Sequence, residues 1–283
     1  MVMKFTKTHL RPLFIAMLFL AASRGSSYAG GFPVRPGSLL LSPSVSYFYA
    51  NKGWDSLRHL KPFTGNGHFS SWTYQMYAEY GLSKRFTLVA QLPYVSNTYE
   101  QTGYLRSASG LTDLETGIRY YIANIDYRYY FMVQGTVITP LYTNDEALGY
   151  GESGAEIKFS FAGSGHLFGQ NSFFSLENGF RQYFGSNGPF QDRYNGTFGL
   201  TLDKKYKNQI SVSLGGFYSV SNNKSFSPIV YTNKDFAFNQ VSLSYGHSFS
   251  RQFSIFITGG KFINGRNIGD GVSGSVSLII RPF

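Results

Sequence analysis

Residues 111–122 read LTDLETGIRYYI, and the fold turns on how this stretch is read. Taken two residues at a time it separates into Leu111, Asp113, Glu115, Gly117, Arg119 and Tyr121 on one side, and Thr112, Leu114, Thr116, Ile118, Tyr120 and Ile122 on the other. A period of two is the spacing of a β-strand, whose successive side chains point to opposite faces. A soluble sheet would turn the apolar side to a core and the charged side to water. A strand in a lipid-embedded barrel would set the apolar side against hydrocarbon and the charged side in the lumen. The choice depends on what the rest of the chain supplies.

Of the 283 residues 18% are aromatic, with 22 Tyr and 27 Phe, 32 are Gly, and only 14% are charged. This is a strand-forming alphabet. Leu, Ala, Glu and Lys are too scattered to build an amphipathic helical stripe outside the N-terminus. The chain therefore reads as all-β.

At the N-terminus Lys4, Lys7 and Arg11 precede the apolar run Pro12 to Ala22, and Ser27 and Ala29 stand where a signal-peptide cleavage site needs small residues. The pattern predicts a signal peptide over 1–29, export through the Sec pathway, and a single barrel domain over 30–283. The apolar run is too short for a comfortable bilayer span. There is no cysteine, so a lipoprotein anchor and disulfides are excluded. Without Lys4, Lys7, Arg11 and Arg24 the 25 basic residues fall to 21 against 15 acidic ones. These charges are spread among turns and strands beside acids rather than gathered on one face, which argues against nucleic acid as a partner.

After Gly30 the chain repeats a strand-like run and a break, the breaks alternately short and long. Short breaks fall at 81–85, 123–126, 163–171, 203–208 and 248–252; long ones fall near 51–67, 98–110, 140–150, 185–190, 222–233 and 263–271. Short turns on one side and long loops on the other predict a transmembrane antiparallel β-barrel of the Gram-negative outer-membrane type, with about twelve strands and both termini periplasmic. The alternation recurs at 153–161, 194–202 and 210–220. A soluble sandwich shows the same alternation. Three features favour the barrel: runs longer than soluble strands, aromatics crowding the strand ends, and a chain that stops on Phe283. The phase there is imperfect. Counting back by two from Phe283 gives Arg281, Ile279, Ser277 and Ser275, while the apolar register is Ile280, Leu278, Val276 and Val272. Pro282 marks a candidate bulge or frayed end. Residues 253–262 carry apolar groups on both faces and leave their register open.

The stretch Tyr80 to Asn97, a loop, and Gly110 to Ile122 resemble the signature of the outer-membrane barrels grouped with the meta-pathway of phenol degradation and labelled as transporters. The resemblance rests on Gly81, Leu92, Pro93, Tyr94, Gly110, Asp113, Gly117, Arg119 and Tyr120. It implies a Gram-negative outer-membrane barrel that moves small, often hydrophobic or aromatic compounds.

With the charged side of 111–122 turned inward, the same parity places Glu79, Asp113, Glu115, Arg119, Arg128, Glu156, Lys158, Glu177, Arg181 and Arg193 along the pore. Five acids and five bases read first as ion pairs that fill and stiffen a narrow barrel, and second as a selectivity device. Tyr77, Tyr121, Tyr130, Phe173, Tyr183 and Phe217 share the inward parity and suit planar apolar solutes, or simply fill a small lumen. Pro93 stands mid-run, where it either kinks the wall or marks a strand end.

The expected function is passive passage of small solutes, aromatic or hydrophobic ones among them. The expected partners are the lipid bilayer, those solutes, and the barrel-assembly machinery acting on the C-terminal strand. No catalytic residue, metal or cofactor is expected, and the localisation expected is the bacterial outer membrane. Two alternatives stand beside it. A rim hydrolase acting on outer-leaflet lipid would need a histidine and a serine facing that leaflet, and only His59 and His68, near Asp55, Ser56, Ser70 and Ser71, lie in a long loop or at its edge. A structural or adhesion barrel would bind through its long loops.

Overall fold

The computed structural model describes residues 33–142, 148–167, 169–203, 205–224 and 233–282; the predicted signal peptide and Phe283 lie outside them. Strands form wherever the two-residue alternation runs. They are β1 (Leu39–Trp54), β2 (Leu60–Pro62), β3 (His68–Gly81), β4 (Phe86–Gln101), β5 (Tyr104–Leu111), β6 (Asp113–Ile125), β7 (Tyr129–Pro140), β8 (Gly154–Leu167), β9 (Gln170–Tyr183), β10 (Phe190–Thr201), β11 (Asn208–Val220), β12 (Phe236–Ser248), β13 (Phe253–Arg266) and β14 (Ile268–Ile280). Twelve of them make one antiparallel wall in chain order. That wall closes because β14 pairs with β1 from Leu41↔Ile280 to Trp54↔Ile268. Closure leaves no open edge and satisfies the backbone without a hydrophobic core, which removes the sandwich alternative. The remaining two strands decorate the rim: β2 pairs with the end of β1, and β5 folds back on the far half of β4.

The outer face is apolar. Leu214, Leu243 and Ile257, each more than half exposed, project from neighbouring strands, and Ile118, Val137, Ile157 and Leu176 continue the band. Aromatics bound it at both ends. Trp72, Tyr74, Tyr94, Phe190 and Tyr194 ring the loop end, while Tyr80, Phe86, Tyr120, Phe131 and Tyr245 ring the end that carries the termini. This is the side-chain pattern of a wall that meets hydrocarbon between two interfaces.

Short turns at 82–85, 126–128 and 249–252 lie at the terminal end, as do the facing ends of β8 and β9 and of β10 and β11. The tightest described among them joins β6 to β7: Asp126 and Tyr127 both take positive φ (51 and 54), and the Arg128 N–H donates to the Ile125 carbonyl. Positive φ at both central residues matches the strand twist.

Several expected boundaries move. The stretch 98–110, expected as a loop, is mostly strand, with β4 and β5 meeting across Gly103 at φ 74. The stretch 263–271 is strand as well, broken by Asn267 alone at φ 51. Residues 163–167 belong to β8 and 170–171 to β9. Glycine and polar residues fill these segments, so they lack the apolar period although their backbones pair. LTDLETGIRYYI is itself divided: Leu111 ends β5 facing outward, Thr112 is buried, and β6 begins at Asp113. Pro93 explains the division, because β4 exchanges its partner there, pairing with β6 up to Gln91 and with β5 from Tyr94, while the Thr112 N–H donates to the Pro93 carbonyl. Pro93 therefore does not end its strand.

The ambiguous stretch 253–262 resolves with Ile257 outward and Phe262 inward, and Phe256 lies over Gly246, where a Cβ would strike its ring. At the C-terminus β14 stops at Ile280 in the apolar register, and Arg281 still donates its N–H to the Gln252 carbonyl.

Leu214 is 58% exposed in the middle of the outer band. Leu214→Arg should destabilise the barrel by about 2–4 kcal/mol if it meets hydrocarbon near the midplane. The temperature at which the protein loses its fast, heat-modifiable gel mobility measures this, and an unchanged temperature would place Leu214 in water.

Candidate functional site in the lumen

The inward side chains of β3 and β6 to β10 form a polar wall held by two clusters. In the first, Arg119 on β6 donates to Glu79 Oε1 on β3 (2.9 Å), to the Tyr77 hydroxyl (2.9 Å) and to Gln134 Oε1 on β7 (3.1 Å). Tyr77 in turn donates to Glu79 Oε1 at 2.6 Å. In the second, Arg181 on β9 donates to Glu115 Oε1 on β6 (2.6 Å), to Glu156 Oε2 on β8 (2.9 Å) and to the Tyr183 hydroxyl (3.3 Å). Tyr183 donates to Asp113 Oδ2 at 3.1 Å. Arg193 on β10 joins through Glu156 Oε2 at 3.1 Å, and Lys158 lies 3.6 Å from Glu177. The β6–β9 contact spans strands that are not neighbours, so the second cluster braces the lumen across its interior.

The other half of the inner wall is aromatic. Phe217 on β11 stacks on Phe238 of β12 (5.9 Å between centroids), which stacks on Phe262 of β13 at 4.1 Å. Phe48 of β1 continues the arc 5.4 Å from Phe262 and 6.0 Å from Phe69 of β3. Phe48 lies over Gly271 of β14, where a Cβ would occupy its ring. The two halves meet at Arg193, whose guanidinium carbon lies 5.4 Å from the centroid of Phe217. Between them is a cavity of about 240 Å³ whose lining includes Gln91, Glu115, Lys158, Glu177, Arg193 and Phe217.

The loop end is narrowed from inside. Tyr150, in the connection between β7 and β8, packs edge-on against Tyr183 at 4.9 Å. Its hydroxyl accepts from Gln191 of β10 (3.2 Å) and donates to the Asn233 carbonyl in the connection between β11 and β12 (2.9 Å). Burial pushes the Tyr150 phenol well above its ordinary range, so it stays a donor. Lys234 binds Glu152 at 3.0 Å, and Asp235 binds Arg266 at 2.6 Å and Lys224 at 3.1 Å. Burial opposes the Asp235 charge, but Arg266 and Lys224 outweigh it and hold that carboxyl below its ordinary range. These contacts tie the two loops to each other and to the β13–β14 turn.

Of the charged residues expected along the pore, Glu79, Asp113, Glu115, Arg119, Glu156, Lys158, Glu177, Arg181 and Arg193 join these contacts. Arg128 does not, because β7 begins one residue later and Arg128 closes the turn instead. Tyr121 and Tyr130 pack with Met132 and Ala162 in a separate buried cluster, and Phe173 is buried against Gly199. Sequence reasoning missed Gln134, Gln191, Tyr150 and most of the aromatic arc. Period-two parity alone could have found Phe48 and Phe238; nothing periodic marks Tyr150. His59 and His68 each face a carboxylate, Asp55 at 3.5 Å and Glu100 at 3.7 Å. Among the described residues no group of three His, Asp or Glu is arranged to hold a metal ion.

No family model matches the chain, and no curated protein matches it in sequence. Solved structures do. An outer membrane channel from Pseudomonas putida F1 aligns over 90% of this chain and 100% of its own, with a TM-score of 0.69 at 12% identity. The translocator domain of the autotransporter NalP from Neisseria meningitidis aligns over 97% of this chain and 95% of its own, with a TM-score of 0.51 at 12% identity. The NanC porin aligns over 85% of this chain and 98% of its own, with a TM-score of 0.50 at 7% identity. At these identities the likeness establishes the fold, an outer-membrane-type barrel.

Arg181 and Arg193 share Glu156, but their side chains are 6% and 37% exposed. Removing a deeply buried partner leaves uncompensated charge, so Arg181→Ala should cost about 3–5 kcal/mol. Arg193→Ala should cost clearly less, because Arg181 still neutralises Glu156. Urea unfolding of the two variants in detergent measures the difference, and equal losses would contradict this ranking.

Proposed function

We propose that this protein is a channel of the bacterial outer membrane through which small solutes with apolar or aromatic bodies diffuse down their gradients. The observation that carries the reading is the two-faced cavity inside a closed wall whose outside is apolar. A wall closed by backbone pairing has no need of an interior core, so an interior that keeps a polar-lined cavity is available for passage. The aromatic arc supplies a surface for planar apolar solutes, and the ion-paired wall opposite keeps the path wettable. The resemblance around Gly81, Asp113 and Gly117 points the same way, towards the barrels grouped with phenol degradation. Export of the 30–283 domain by a cleaved leader, and its insertion by the barrel-assembly machinery, complete the proposal. In that orientation the long loops are extracellular and Tyr150 narrows the outer mouth.

The clasp across β6, β8, β9 and β10 also favours a second reading, a sealed barrel whose loops alone act. Recording from purified protein in planar bilayers separates the two. A channel gives discrete current steps, and Tyr150→Gly, which opens the mouth without altering a strand residue, should enlarge them. Complete silence of both proteins would favour the sealed barrel.

A further inference from the structure

The lumenal cations are not equivalent. Arg119 and Arg181 are 8% and 6% exposed, and each donates to three acceptors. Arg193 is 37% exposed, lines the cavity, and has, among the described residues, one acceptor within hydrogen-bond reach, Glu156 Oε2. That oxygen already accepts from Arg181 Nε, and the next carboxylate oxygen, Glu115 Oε1, is 4.0 Å away and bound to Arg181 at 2.6 Å. Arg193 can therefore turn to a new acceptor while every carboxylate it leaves keeps a partner. Its guanidinium lies over Phe217, the first ring of the aromatic arc.

We infer that Arg193 and Phe217 form a subsite for the carboxylate of a small organic acid with a planar apolar body. This rests on the channel reading and gives that channel a substrate class. The guanidinium presents a fork matched to a carboxylate, and the body of the acid continues along Phe217 and Phe238. Charge balance supports a monoanion. Glu115, Glu156 and Glu177 line the cavity with Lys158 and Arg193, and the buried Arg181 behind them pairs with Glu115 and Glu156, so these six charges sum to zero where a monocarboxylate enters. An organic ammonium is disfavoured. Glu115 and Glu156 are engaged by Arg181, and Glu177 faces Lys158 at 3.6 Å.

The test uses purified full-length barrel in planar bilayers with sodium benzoate, sodium acetate and benzylammonium chloride as probes. Benzoate at millimolar concentration should interrupt the open-channel current, acetate and benzylammonium far less. Charge-assisted hydrogen bonds of this kind predict a rise of about tenfold in the benzoate concentration needed in Arg193→Gln. Phe217→Ala should remove the preference for benzoate over acetate. Heat-modifiable mobility confirms folding, and Arg193→Lys, which keeps the charge and loses the fork, replaces the Gln variant if that fails to fold. Equal sensitivity of wild type and variant to benzoate, or equal block by benzylammonium, would overturn the subsite. A wild type that carries no current in any salt would instead overturn the channel reading. The subsite then stands only if benzoate raises the heat-modification temperature of wild type and not of Arg193→Gln, and falls otherwise.

Discussion

The pairing of β14 with β1 is the constraint from which the rest of the molecule follows. Once that seam closes, each inner strand has a neighbour on both sides and the backbone no longer needs water or a core to satisfy it. The usual partition of side chains is then free to invert. Leu, Ile and Val go to the outside, and Glu, Arg and Gln go to the inside, where each ion is bought out of water by another. An Arg119 or an Arg181 placed inside a soluble sandwich would be an expensive burial; here it faces Glu79, or Glu115 and Glu156, across a space the wall has already enclosed.

Within that enclosure the sequence divides the labour between two arcs. Polar side chains from β3 and β6 to β10 point at one another, whereas β11, β12 and β13 contribute stacked rings and β1 a tilted one. The division is sharp because glycine opposes the large rings. Gly246 makes room for Phe256, and Gly271 makes room for Phe48. A residue with a side chain at either place would push a ring into the lumen and blur the boundary that Arg193 now marks.

The architecture and the charged wall were legible in the sequence because both depend on a period of two, which survives any change in the partner strand. Gly81 and Gly117 could be singled out from the motif, and the structure gives each a cause: a Cβ at Gly81 would strike the Arg35 carbonyl, and one at Gly117 the Gly135 carbonyl. What was not legible lacks that period. Hairpin ends rich in glycine and polar residues, such as 104–111 and 263–271, look like loops although their backbones pair. Arg128 has the right parity for an inward residue but falls before β7 begins, and parity says nothing about where a strand starts. Tyr150 reaches the lumen through tertiary contacts with Tyr183, Gln191 and Asn233, and no local signal encodes these.

The way Glu156 is shared has a mechanical meaning as well. Glu115, Glu156, Arg181 and Arg193 join β6, β8, β9 and β10 through side chains in addition to the backbone ladder, so this sector resists bending as one plate. Among the described residues the sector from β12 to β14 has no ion pair in its middle, only the bond from the Thr258 hydroxyl to that of Ser244, and Gly259 there faces Gly274 across the ladder, with no side chains between them. A tube stiff on one side and compliant on the other deforms unevenly under thermal load. Its cross-section should breathe mainly by flexing the aromatic arc, so that the side which receives an apolar solute is also the side that can yield to its width.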